Sequence, residues 1–195
     1  MEFLKQLIAI IIVLGVATGL AYGIGMNSRL IWDNFHLLWF LFILSFAIQI
    51  IAFVFAIVFN TESFFDLIGS LTYISLALIG LFVNNGPSWE QYVAAGMIIS
   101  WAARLGSFLF MRILKSGGDS RFEEIKQSAM KFFVTWLLQG LWVAITASAL
   151  FVVISKPAQS GGVDVLEIVG LVIWAFGLIF ETVGDYQKSA FKEQQ

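Results

Sequence analysis

The 195-residue chain is 59% hydrophobic and 12% charged, with a mean hydropathy of +0.90; a soluble domain is about half apolar and a quarter charged, so lipid must solvate much of this surface. A formal net charge of −2 argues against nucleic acid as a partner. The absence of cysteine excludes disulfides and thiolate metal sites, and the single histidine, His36, excludes a multi-histidine metal centre.

Six apolar stretches approach or exceed the roughly 20 helical residues that cross a bilayer. Backbone polar groups in hydrocarbon must be satisfied within the segment, and no alternating ten-residue barrel strands occur, so the expected fold is an all-α polytopic bundle. The first stretch, Leu4–Ile24, is longer than a signal-peptide core and no A-x-A site follows, so it reads as an anchor. Gly15, Gly19 and Gly23 recur on one of its faces, where a neighbouring helix can approach closely. Leu37–Phe59 is interrupted chiefly by Ser45 and Gln49. Gln49, like Gln139 further on, reads as an inter-helix hydrogen-bonding residue.

The third stretch, Asp66–Val83, opens FDLIGSLTY, with Asp66, Ser70 and Tyr73 on one face. Such a set forms either a polar seam between helices or a tyrosine proton donor backed by a carboxylate. The fourth, Trp89–Leu114, aligns Ser100, Arg104, Ser107 and Met111. Arg104 lies about 12 Å deeper than Arg112 at 1.5 Å per residue. Its guanidinium calls for a carboxylate or a phosphate, and a snorkelling or structural arginine is the alternative. The connection RILKSGGDSRFEE breaks at Gly117-Gly118 and offers Asp119 or Ser120 as the cap of a new helix, with Glu123 as reciprocal partner. Arg112, Lys115 and Arg121 flank the glycine pair, an arrangement that suits phosphate groups and equally a plain positive-inside loop.

The fifth stretch is Phe132–Ile154 and the sixth Val165–Thr182. Near the end of the sixth, Glu181 and Asp185 share a face and Lys188 follows three residues on, with Gly170, Gly177 and Gly184 forming a second small-residue stripe. An interfacial helix end whose charges reach water would look the same. Orientation follows from the basic residues: the side carrying Lys5, Arg112, Lys115, Arg121, Lys126, Lys131, Lys188 and Lys192 faces one that has only Arg29 and Lys156. The positive-inside rule puts the first side, and both termini, in the cytoplasm.

FDLIGSLTY, WAARLGSFLFMRILKSGGDSRF and FETVGDYQKSAFK, in this order, resemble the bacterial membrane proteins related to steroid 5α-reductase, a family often described only as a domain of unknown function. The resemblance spans Asp66 to Lys192. It implies an integral membrane enzyme, in a bacterial inner membrane, that uses NADPH from the cytoplasm to reduce a carbon–carbon double bond conjugated to a carbonyl in a lipophilic, steroid- or lipid-like substrate. It further implies that Arg104, Arg112 and Arg121 take phosphates, that Asp119, Glu181, Asp185 and Lys188 line the cofactor, and that Tyr73 with Asp66 supplies the proton. In that family the chain continues past F-K into a stretch like S-R-H-P-N-Y-F-G-E, which is not found here; the expectation is that this part would complete the nucleotide pocket. A non-catalytic six-helix membrane protein that binds lipid or a partner is the alternative. A transporter is disfavoured, because neither an inverted repeat nor a pair of broken mid-membrane helices is visible.

Overall fold

A computed structural model describes residues 2–84, 86–157 and 163–193, with the side chains of 192 and 193 left aside. Seven α-helices form among these residues: α1 (Glu2–Gly25), α2 (Leu37–Val58), α3 (Phe65–Val83), α4 (Trp89–Ser116), α5 (Ala129–Thr146), α6 (Ser148–Ser155) and α7 (Val165–Glu193). All but α6 are long and apolar enough to cross a membrane, and the chain is an all-α, polytopic integral membrane protein in contact with lipid. It divides into two compact units, Met1–Ala158 and Gln159–Gln195.

In the first unit the core lies where α2, α3, α4 and α6 meet: Leu37, Leu38, Leu41, Leu76, Ala77, Ala95, Ala102, Phe151 and Ile154 are all buried. α3 and α4 make the most extensive pairing. Gly106 permits it, because a Cβ there would come within 2.5 Å of Ser70 Cβ and Oγ. α1 packs on α2 and α5 through Val13 and Ala17, against Phe46 and Leu137. Within the first unit the face of α1 bearing Gly15, Gly19 and Gly23 is not the packing face, since no described residue lies within 4 Å of where their Cβ atoms would stand.

The helix ends follow local chemistry. α2 closes with Asn60 in the left-handed region at φ 49°. Thr61 N donates to Ala56 O (2.9 Å) and Asn60 N to Ile57 O (3.4 Å), the double bond of a Schellman motif. At the other end of the bundle, the α1–α2 connection forms a short antiparallel ribbon, Leu30–Trp32 with Phe35–His36, which the hydropathy profile does not reveal. There Asn84 and Gln91 occupy the carbonyls at the end of α6. Asn84 Nδ2 donates to Ile154 O (2.6 Å), and Gln91 Nε2 donates to Ile154 O (3.1 Å) and Lys156 O (2.6 Å).

Two further sequence expectations are corrected. The fifth apolar stretch is not one helix: it breaks at Ala147 into α5 and α6. Thr146 Oγ1 donates back to Trp142 O (2.8 Å) at the break, and such back-bonding by a hydroxyl bends helices. Nor does a helix capped at Asp119 or Ser120 run on with Glu123 as reciprocal partner. Asp119 caps only a single 3-10 turn, Ser120–Phe122, and α5 begins later, with Ser128 accepting from Lys131 N. The described part of the second unit is dominated by α7, one helix that continues past Thr182 to Glu193, with Phe176 and Phe180 stacked at 6.4 Å.

Candidate functional site: a charged rim at the basic end

The polar residues of the first unit that converge most closely lie where α2 turns into α3 and α4 hands over to α5. Asp66 sits in the first turn of α3, where the helix dipole favours an anion. Arg112 lies just before the last turn of α4. Gly117 then takes φ 75°, which ends α4, and Gly118 takes φ 156°. The reversal brings Asp119 and Arg121 back beside α3.

Arg112 Nη2 stands 3.8 Å from Asp66 Oδ2, and Arg121 Nη2 donates to the same oxygen at 3.5 Å. Arg121 also binds Asp119, through Nε to Oδ1 (2.9 Å) and Oδ2 (2.8 Å) and through Nη2 to Oδ2. The anions lie inward and the cations outward: side-chain exposure is 18% for Asp66 and 10% for Asp119, against 42% for Arg112 and 60% for Arg121. The 3-10 turn is pinned by Phe122, buried against Phe65 with ring centroids 4.9 Å apart. Arg121 stacks over the same Phe122 ring at 5.9 Å.

A second ion pair, invisible to the motif reading, supports the loop from beneath. Glu62 is buried, pairs with Lys126, and accepts from Asp119 N at 3.5 Å. Its only sequence signal is that it stands four residues before Asp66.

The hydrogen bonds from Arg121 hold the Asp119 carboxyl below its ordinary range, and Asp119 in turn raises Arg121. A depressed carboxylate contributes stability that is complete above its unfolded value, about 3.9, and lost as pH falls through the lower folded value. Backbone amides of residues 117–128 should therefore stay protected from hydrogen exchange down to about pH 4 and open below it. Asp119→Asn should remove the acid-dependent step and leave the segment looser at neutral pH.

The other sequence candidates fall as follows. Arg104 is half-buried on α4, two turns before Arg112. Tyr73 is buried and T-shaped against Trp101 at 5.0 Å. Its hydroxyl meets Thr146 Oγ1, whose own proton goes to Trp142 O, so Tyr73 is the donor. The expected Tyr73–Asp66 pairing is thus replaced by two separate ones: Tyr73 with Thr146, and Asp66 with the arginines. Seven residues along α3 separate them by about 10 Å. Ser70 Oγ donates to Asp66 O (3.1 Å), within its own helix. Glu181, Asp185 and Lys188 belong to α7 in the second unit. The side chain of Lys192, in the F-K motif, lies outside the described residues.

Fold and site together define a polytopic α-helical membrane protein with an ion-paired rim at its basic end. A model of the family described as "Protein of unknown function (DUF1295)" matches residues 52–195, and the chain belongs to that family. The match begins within α2 and takes in every rim residue named above. No curated protein and no solved structure matches the chain.

Proposed function

We propose that the chain carries the cofactor-binding rim of an NADPH-dependent membrane reductase acting on a conjugated double bond of a lipophilic, steroid- or lipid-like enone, with the basic end toward the cytoplasm. The observation that supports this most is the convergence of Arg112 and Arg121 on Asp66 with their guanidinium groups outward. Two exposed guanidiniums beside the N-terminus of α3 fit phosphate in charge and in donor geometry. Each guanidinium carries five N–H donors, so both retain capacity beyond Asp66. NADPH, when bound, would supply a hydride. Within this reading Arg112 and Arg121 hold phosphate and Asp119 orients Arg121; a role for Arg104, and separately for Glu181, Asp185 and Lys188 of α7, rests on the motif resemblance alone. Tyr73 is the proton donor by the same resemblance, and would have to exchange Thr146 for a substrate carbonyl.

The test is tryptophan fluorescence and thermal shift of the detergent-solubilised protein on titration with NADPH. Saturable binding is expected, weakened about tenfold by Arg112→Gln or Arg121→Gln, the loss of one charge-assisted contact. Absence of any response would remove the reading. A second reading, a non-catalytic membrane protein, is favoured by one observation: Asp66 and Asp119 already neutralise the arginines. It predicts no NADPH response at all.

A further inference from the structure

Three buried polar atoms at the junction of α2, α3 and α5 have no hydrogen-bond partner among the described residues: Gln49 Oε1, Gln139 Oε1 and Trp136 Nε1. Gln49 and Trp136 are both fully buried. In both glutamines the amide nitrogen is already used. Gln49 Nε2 donates to Thr72 Oγ1 (2.8 Å), which can only accept because its own proton goes to Ile68 O (2.6 Å). Gln139 Nε2 donates to Phe65 O (2.8 Å). These bonds fix which end of each amide is left over, and both leftover ends are acceptors.

The three side chains share one neighbourhood. The Trp136 ring lies T-shaped on Phe65 at 4.9 Å, and Gln139 bonds the carbonyl of that same residue. Gln139 Cδ is 3.2 Å from where a Cβ on Gly69 would stand, so the amide lies on the bare backbone of α3. One turn further along α3, Thr72 holds Gln49. Gln49 Cγ in turn lies 3.4 Å from the Cβ position of Gly140, the residue next to Gln139.

Two acceptors and one donor are the complement of a single water molecule. Each left unmade would cost about 1–3 kcal/mol in a dry interior, and buried waters typically make about three hydrogen bonds to such groups. We propose that this junction is a binding site for one ordered water, which donates to Gln49 Oε1 and Gln139 Oε1 and accepts from Trp136 Nε1–H. The water joins α2, α3 and α5 inside the bundle, where these buried atoms have no other partner among the described residues. This is independent of the charged rim and of any cofactor.

The experiment uses the full chain in nanodiscs with ¹⁵N-indole tryptophan. The Trp136 resonance is assigned as the one lost in Trp136→Phe. It should show a cross-peak to water in a water-selective NOE measurement, and should shift in both Gln49→Met and Gln139→Met. The melting temperature of the double variant should fall by less than the sum of the two single losses, because both remove the same bridge. An indole without a water cross-peak in the unsubstituted protein would overturn the proposal, whether or not the variants fold; so would strictly additive losses.

Discussion

Gly106→Leu should abolish or sharply reduce recovery of folded protein, whereas Gly15→Leu should leave it unchanged. At Gly106 even a methyl group would stand 2.5 Å from Ser70 Cβ and Oγ, and although the hydroxyl can rotate, Cβ is fixed to the α3 backbone and cannot swing away. The helices must then separate along their most extensive pairing. Overpacking of this kind costs about 1–3 kcal/mol for small insertions, and a leucine lies at or beyond the upper end. The separation also spreads the rim: Ser70 is one turn from Asp66, and Gly106 is six residues before Arg112. At Gly15 no described residue places an atom within 4 Å of the Cβ position, and leucine replaces glycine on an exposed helix face, improving propensity by roughly 0.5–1 kcal/mol. Size-exclusion recovery and thermal unfolding in detergent measure both. Equal effects at the two positions would refute the packing described for α1 and α3–α4.

Asp66→Asn should loosen residues 117–128 at neutral pH, seen as about tenfold faster amide exchange, the equivalent of about 1.4 kcal/mol. The carboxylate is mostly buried and serves two guanidiniums, whereas the arginines are about half exposed. The effect therefore falls between a surface pair, about 0–1 kcal/mol, and a fully buried one, about 3–5 kcal/mol. Arg121→Gln should loosen the same segment, because it removes the bonds to both Asp66 and Asp119. Arg112→Gln should do less, since its approach to Asp66 is longer and Asp119 keeps Arg121 in place. No loosening in any of the three would mean that the loop is held by Phe122 and Glu62–Lys126 alone. The NADPH titration separates function from stability. If the arginines take phosphate, Asp66→Asn frees them and affinity should not fall although the loop is looser.

Hydropathy by itself determined the class of this protein and its six long helices, because a chain in lipid must close every backbone hydrogen bond within the segment. It also placed Asp66, Arg112, Asp119 and Arg121 toward one end, since charge cannot stay in hydrocarbon without a partner. Which charge meets which was decided only by tertiary structure. Asp66 and Arg121 are 55 residues apart in sequence, and they meet because Gly117 and Gly118 turn the chain and Phe122 seats the turn on Phe65. Periodicity put Tyr73 on the face of Asp66, but a shared face says nothing about what the next helix presents, and α5 presents Thr146. The same hydroxyl, bonding back to Trp142, marks the break between α5 and α6 that a continuous apolar run conceals. Spacing along one helix is a local property, whereas pairing depends on loop reversals and on which glycines let two backbones approach.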